Sequence, residues 1–206
     1  MFTPSQAAVI TGLSLKSAQK AIDNRLVPAT TARQAKTTRR LLSEEALVCL
    51  HLEAGGLSVF PAATRKRLFA EILRNPEKRS GQPAPIVTVD LRPSRQAMAK
   101  AVRQLKKSES LVIENPEVLS GAPVFKGTRV PVHQIALELE QGSTVEEVLQ
   151  AYPTVSREQA EAAAIYARAN PRTGRPPVQP WRGSRPVKVM RYVVSGLRAG
   201  ARKRAS

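Results

Sequence analysis

The residues from Glu114 to Val132 have the composition of a ligand-binding loop. They read ENPEVLSGAPVFKGTRVPV and place glycines and prolines around a Gly127-Thr128-Arg129 turn. Loops that bind phosphate have defined spacings, either G-x-x-x-x-G-K-[ST] or G-x-G-x-x-G after a strand. Neither spacing occurs in this stretch. The stretch therefore does not indicate phosphate or nucleotide chemistry.

Other residue types that perform catalysis are sparse in the chain. His51 and His133 are its two histidines, and the single cysteine, Cys49, lies in the apolar run LVCL, which is typical of a core residue. No acidic, histidine and cysteine residues show the spacing of metal ligands, and no serine lies in a nucleophile elbow. We expect no catalytic residue, no metal site and no cofactor, and we do not expect an enzyme.

The same stretch predicts a backbone shape instead. Proline fixes φ and glycine permits left-handed conformations, so short strands near 112–113 and 124–125 would be turned tightly. The residues predicted to form this structural turn are Gly121, Pro123, Gly127, Thr128 and Arg129. Three helices follow, and the residues predicted to form their shared core are Val132, Ile135, Ala136, Leu139, Val145, Val148, Leu149, Ala160, Ala164 and Ile165.

Basic and polar residues near the N-terminus follow a helix-turn-helix pattern. Thr3-Pro4-Ser5-Gln6 predicts a capped helix start, Gly12 a tight turn and Ser14 the cap of a second helix. Leu15, Ala18 and Ile22 would form the apolar face of that helix. The polar residues able to reach DNA phosphates and base edges are Lys16, Ser17, Gln19, Lys20 and Arg25. A plain helical hairpin with a solvated lysine face is the alternative.

A basic, non-helical connection separates these helices from a third one that starts at Ser43-Glu44-Glu45. It carries Arg39 and Arg40, which we expect to contact the DNA backbone. Helix, turn, second helix and arginine-bearing connection together resemble the winged helix-turn-helix of the MerR type over roughly residues 3–75. The resemblance implies DNA binding.

The next residues are predicted to connect this head to the rest of the chain. Residues 75–85 have the composition of a linker. Residues 86–91 are rich in β-branched and apolar side chains, which predicts a strand. That strand would pair with residues 111–113 across a helix from Ser94 to about Lys107, or with a second copy of the chain. We therefore expect a DNA-binding domain at 1–80 and a connecting strand and helix, a candidate dimerisation segment, at 81–110.

A second resemblance covers about residues 111–170. The string G-x-P-x-x-x-G-T-R-V-P-V, followed by VEEVLQAYP and an alanine-rich helix, closely resembles a small bacterial module found in VapB-type antitoxins of type II toxin-antitoxin pairs. The resemblance implies an antitoxin that inhibits a PIN or PIN-like ribonuclease and represses its own operon. Its implied partners are the cognate ribonuclease toxin and operator DNA. We expect a homodimer, because helix-turn-helix heads usually read paired half-sites, or a higher toxin-antitoxin assembly.

The C-terminal segment 171–206 holds 10 lysines and arginines and no acid, within a chain of net charge +17. Such a segment has no core of its own, and VKVMRYVV alternates like a strand that could extend a partner's sheet. The candidate toxin-binding residues are Trp181, Arg182, Arg185, Val189, Arg191 and Tyr192. The alternative is a stand-alone DNA-binding transcriptional regulator whose basic tail binds nucleic acid nonspecifically.

The whole sequence predicts a mainly α-helical fold with short β-strands. It would comprise an N-terminal winged helix-turn-helix, a small three-helix C-terminal module and an extended basic tail. No apolar run approaches the roughly 18 residues that span a bilayer, and the N-terminus lacks the pattern of a signal peptide. We therefore expect a cytoplasmic protein without a membrane partner.

Overall fold

The computed structural model describes residues 1–34 and 37–172. The α-helices within these ranges are Pro4–Thr11 (α1), Leu15–Asp23 (α2), Glu44–Ala54 (α3), Ala62–Arg74 (α4), Arg92–Ser110 (α5), Val132–Glu140 (α6), Val145–Ala151 (α7) and Arg157–Ala169 (α8). The strands are Thr30–Gln34 (β1), Thr37–Leu41 (β2), Ser80–Ala84 (β3), Val87–Asp90 (β4), Val112–Ile113 (β5) and Val124–Phe125 (β6). Each strand pairs antiparallel with its neighbour in sequence, as β1-β2, β3-β4 and β5-β6. The described part of the chain is therefore mainly helical with short antiparallel strand pairs, as predicted.

Several helices begin where the sequence places a cap. Thr3 and Gln6 form a reciprocal capping box at the start of α1, with Pro4 in its first turn. The Ser43 side chain accepts a hydrogen bond from the Ala46 amide at the start of α3. Each such cap satisfies an amide that has no partner inside the helix and stabilises it by about 1 kcal/mol. The predicted starts of α1 and α3 are confirmed.

A first hydrophobic core lies among α1, α3, α4 and α5. Leu47, Leu50, Phe69 and Ile72 are almost completely buried in it. Cys49 belongs to the same core. Burial raises the pKa of its thiol to about 12, although the positive charge of Arg95 acts to lower that pKa. A thiol with such a pKa stays protonated near neutrality, so Cys49 acts as a small apolar side chain.

A second core lies among α6, α7, α8 and β6. Phe125 and Ile135 are fully buried there. Ala163 and Tyr166 of α8 lie in this core, where Ala164 and Ile165 were predicted. Ile165 packs against the first core instead. The prediction was wrong on this point because α8 is covered on two sides, and a single apolar stripe cannot show which side faces which core.

Residues 75–85, predicted as a linker, instead contain strand β3. Ser80 pairs with Asp90 and Gly81 with Val89, so the hairpin β3-β4 closes locally. A β-carbon added to Gly81 would lie 2.4 Å from Leu68 Cδ1, which explains a glycine in this strand. The predicted pairing of 86–91 with 111–113 is also wrong, because β5 pairs with β6.

Helix α5 packs against α1, α3 and α8 and so touches the elements of both cores. Gln6 Nε2 of α1 donates to Glu109 Oε1 at 2.8 Å, and Lys107 Nζ lies 2.7 Å from Glu158 Oε1 of α8. Residues Met1 to Arg172 form one compact unit. No helix within the described ranges is long and apolar enough to cross a membrane.

Candidate nucleic-acid interface

The first two helices meet at a tight turn. Gly12 has φ +75°, the left-handed conformation that glycine adopts without strain, and it ends α1. Ser14 then caps α2 by accepting a hydrogen bond from the Ser17 amide at 3.0 Å. Ala18 and Ile22 are buried, but Leu15, predicted on the same apolar face, is 39% exposed. The first turn of α2 therefore lies outside the core.

The exposed side of α2 carries the predicted polar residues. Lys16, Gln19 and Lys20 are all exposed, and residues three and four apart neighbour each other on a helix surface. The Ser17 hydroxyl is also exposed, but it lies 2.8 Å from Ser14 Oγ and takes part in the helix cap. The surface formed by Lys16, Gln19 and Lys20 is termed the α2 polar face below.

The basic connection after α2 is an antiparallel hairpin, β1-β2. Residues directly opposite each other in paired strands share a face, and successive residues alternate between faces. Arg40 is opposite Thr31 and Arg39 is opposite Ala32. The two arginines are both exposed, but they lie on opposite faces of the hairpin. A partner that contacts one face of the hairpin therefore cannot bind Arg39 and Arg40 in the same way.

Arg40 joins the hairpin to α2 through an ion pair with Asp23, the last residue of that helix. The side chains are 53% and 58% exposed, so the pair contributes little net stability, at most about 1 kcal/mol. Arg25 follows α2 in a left-handed conformation, with φ +52° and its amide donating to the Ile22 carbonyl at 2.9 Å. Arg25 and Arg40 are thus held beside the C-terminal end of α2.

A basic residue absent from the predicted set also lies near α2. Lys66 is exposed on α4 and borders the same groove as Arg25 and Arg40. The run Arg65-Lys66-Arg67 is visible in the sequence. Arg65 is instead paired with Glu53. The sequence run alone does not show that Lys66 borders the groove while Arg65 forms an ion pair, because consecutive helical residues point in different directions.

The stretch 114–132, termed the signature stretch below, forms tight turns before and after β6. Gly121 and Gly127 have φ +82° and +77°. Thr128 Oγ1 donates to the Phe125 carbonyl at 3.1 Å and accepts from the Val130 amide at 3.1 Å. The Val132 amide donates to the Pro123 carbonyl at 3.0 Å, while the Arg129 side chain is exposed. The Thr128 hydroxyl and the backbone groups named above therefore form hydrogen bonds with each other inside the stretch.

Replacing Gly127 with alanine should lower the free energy of unfolding by about 1 kcal/mol, since a left-handed residue with a β-carbon costs about 1–2 kcal/mol. No atom lies within 4 Å of the added β-carbon, so the loss reflects backbone conformation and not a clash. Urea unfolding measures it, with the exposed neighbour Lys126→Ala as the matched control. An unchanged midpoint for Gly127→Ala would show that the turn tolerates another conformation.

Titratable groups lie beside the second core, around Tyr166. The Tyr166 hydroxyl donates to Glu114 Oε1 at 3.2 Å, and burial followed by the charge of Glu114 raises the Tyr166 pKa to about 12. His133 meets the Tyr166 ring edge-on with centroids 6.1 Å apart. Burial and the positive charge of Arg172 lower the pKa of His133, and Glu114 opposes them. Among the described residues, no group of three or more histidines, cysteines and acids is placed to hold a metal ion.

The candidate toxin-binding residues lie outside the described residues. They are Trp181, Arg182, Arg185, Val189, Arg191 and Tyr192. Their assignment stays a prediction from the sequence.

Comparison with known proteins places the signature stretch in a family. The protein-family model described as "Protein of unknown function (DUF433)" matches residues 112–167 of the sequence, which lie inside the module predicted at 111–170. The "Uncharacterized protein y4eO" of Sinorhizobium fredii is 30% identical over 192 residues, covering 85% of this chain and 84% of the relative. No solved structure matches the chain. Because the similarity to y4eO covers 85% of this chain and 84% of the relative at 30% identity, the chain belongs to the same family as y4eO, and its residues 112–167 form a DUF433 domain.

Proposed function

We propose that the chain is a DNA-binding antitoxin. In this proposal residues 1–80 are a winged helix-turn-helix of the MerR type that binds operator DNA. Residues 171–206 bind and inhibit a PIN or PIN-like ribonuclease encoded with it. The protein acts by binding in the cytoplasm and not by catalysis.

The observation that carries the DNA-binding part is the α2 polar face beside an arginine-bearing hairpin. An α-helix with its side chains is about 10–12 Å across, which matches the width of the major groove of B-DNA. Lys16, Gln19 and Lys20 are exposed together on α2. Glutamine pairs with adenine edges and lysine with guanine edges or phosphates, so this face has the chemistry of direct readout.

The hairpin β1-β2 then acts as the wing. Arg39 and Arg40 of this hairpin are both exposed, and Arg40 also pairs with Asp23. Arginines in such positions bind phosphates and set the register of the protein on the duplex. Because Arg39 and Arg40 occupy opposite faces, we assign the phosphate contact to Arg39 and a contact with the α2 end to Arg40.

The inhibitory part rests on charge and family resemblance. The active sites of metal-dependent ribonucleases are lined with carboxylates, which bind arginine through charge-assisted hydrogen bonds. Residues 171–206 carry 10 lysines and arginines without an acid. The alternating segment 187–194 has the pattern of a strand added to a partner's sheet.

The same basic composition favours a second candidate. A stand-alone transcriptional regulator would use residues 171–206 to increase nonspecific affinity for DNA through phosphate neutralisation. The two candidates share the α2 polar face and differ only in the partner of the C-terminal segment.

Lys20→Ala tests the shared part. It should weaken binding to the DNA upstream of the chain's own coding sequence about tenfold, and the slope of log K against log salt should fall by about 1, because one phosphate or base contact is lost. Fluorescence anisotropy at several salt concentrations measures both quantities.

The matched control for Lys20→Ala is Lys106→Ala. It removes the same charge from an exposed position on α5. Equal losses for the two variants would contradict docking through α2 and would indicate a response to net charge alone.

A further inference from the structure

An open groove lies between the C-terminal end of α2, the hairpin β1-β2 and helix α4. Its volume is about 660 Å³, within the range of pockets that hold small molecules. Its lining includes Ile22, Leu26, Val27, Ala29, Ala70 and Leu73 on the apolar side. The charged side consists of Asp23, Arg25, Arg40 and Lys66.

The two sides of the groove have different chemistry. Ile22, Leu26 and Val27 are buried members of the first hydrophobic core, and the half-buried Ala29, Ala70 and Leu73 supply the apolar floor that is open to solvent. Arg25 and Lys66 are exposed at the rim. Among the described residues that line the groove, Asp23 is the one acid, and it already pairs with Arg40. The rim therefore has an excess of positive charge above an apolar surface.

This combination suits an organic anion better than the phosphate backbone of DNA. A phosphate would bind the rim cations and leave the apolar floor in contact with water. An aromatic or short alkyl body would cover that floor and be stabilised by the apolar area that it removes from water. Its acidic group would meet the cations at the rim.

We propose that this groove binds a small amphipathic anion, an aromatic or short-chain molecule bearing a carboxylate or sulfonate. The anion pairs with Lys66 and competes with Asp23 for Arg40. Since Asp23 ends α2 and Arg40 lies in the hairpin, occupancy separates the two elements that bind DNA. This regulatory consequence rests on the proposed function, whereas the ligand site itself does not.

The probe for the site is 1-anilinonaphthalene-8-sulfonate, whose fluorescence rises when it leaves water. The full chain should bind it saturably, and Lys66→Ala should raise its Kd about tenfold, the loss of one charge-assisted contact. The control is Arg67→Ala, which removes the same charge from the next position of α4 but does not line the groove. It should change the Kd less than twofold, on the order of the effect of a distant exposed charge.

A second probe separates charge from apolar contact. N-phenyl-1-naphthylamine has the same rings without the sulfonate, and its binding should not respond to Lys66→Ala. Ala70→Trp, which fills the groove, should remove binding of both probes while circular dichroism shows an intact fold. Equal binding of the sulfonate by wild type, Lys66→Ala and Ala70→Trp would overturn the proposal, because the dye would then be held elsewhere.

The regulatory part is tested in the DNA-binding assay. Saturating 1-anilinonaphthalene-8-sulfonate should lower the affinity of wild type for the upstream DNA about fivefold, a typical coupling between sites, and should leave Ala70→Trp unaffected. Saturable binding without any change in DNA affinity would contradict the coupling. If the chain does not bind the DNA even without the dye, the proposed function fails while the fluorescence result still decides the site.

Discussion

A chain that ends at Arg172 is expected to lose all capture of the partner ribonuclease and to keep its specific affinity for operator DNA. The expected loss is complete because the proposed inhibitory residues, including Trp181 and Arg191, are removed together. DNA binding should persist because α2 and the hairpin belong to the compact unit Met1–Arg172. Co-expression with the adjacent reading frame followed by affinity purification measures capture, and fluorescence anisotropy measures DNA binding.

A charge-preserving variant separates the two candidate functions. Trp181→Ala with Tyr192→Ala leaves all 10 basic residues of 171–206 in place. An antitoxin should lose ribonuclease binding in this variant, because aromatic anchors dominate interfaces and their truncation costs about 2 kcal/mol or more. A regulator with a nonspecific tail should show no ribonuclease capture at all, and its truncation at Arg172 should reduce the salt dependence of DNA binding.

Capture of the ribonuclease by the chain truncated at Arg172 would remove the assignment of inhibition to the tail. Thermal unfolding of that chain serves as the control for its fold. A cooperative transition close to that of the full chain would show that any loss of capture comes from the missing segment.

Phe125→Ala is expected to lower the free energy of unfolding by about 3–5 kcal/mol, the usual cost of removing a fully buried phenylalanine side chain. Phe125 is 0% exposed and belongs to the second core, in strand β6 of the signature stretch. Its amide and carbonyl also hold the turn, through Val130 and Thr128. Urea unfolding followed by circular dichroism measures the effect.

Two matched variants show whether the cost comes from the cavity. Phe125→Leu keeps most of the apolar volume and should cost less than half as much, about 1.5 kcal/mol. Leu119→Ala removes an apolar side chain that is 53% exposed in the same stretch and should change stability by less than about 1 kcal/mol. A loss below about 1 kcal/mol for Phe125→Ala would mean that the second core does not depend on this strand.

Local interactions made part of the structure predictable. The caps at Thr3, Ser14 and Ser43 each involve an amide within three residues, and all three are present. The left-handed conformations of Gly12 and Gly127 are permitted by the absence of a β-carbon, which is likewise a property of one residue. Helix starts, the tight turns and the exposed polar residues of α2 were therefore available from the amino-acid order.

Contacts between distant segments were not available in the same way. The pair Arg40–Asp23 joins residues 17 positions apart, and Ile165 faces the first core although its helix also builds the second. Strand β3 was not predicted because it contains glycine and proline, which are uncommon in strands. The composition does not show that Gly81 lies against the Leu68 side chain, a contact made only in the folded protein.

The sequence by itself therefore determined the helix caps, the glycine turns, the distribution of charge and the DUF433 signature. The caps and turns depend on neighbours within about four residues, whereas the charge distribution and the signature depend only on the order of residues along the chain. Only the tertiary structure decided which face of α8 meets which core, that Arg39 and Arg40 point apart, and that Lys66 borders a groove with Arg25. These outcomes depend on how separate elements pack, where many arrangements of the same apolar stripes bury similar areas and the close fit of particular side chains selects one.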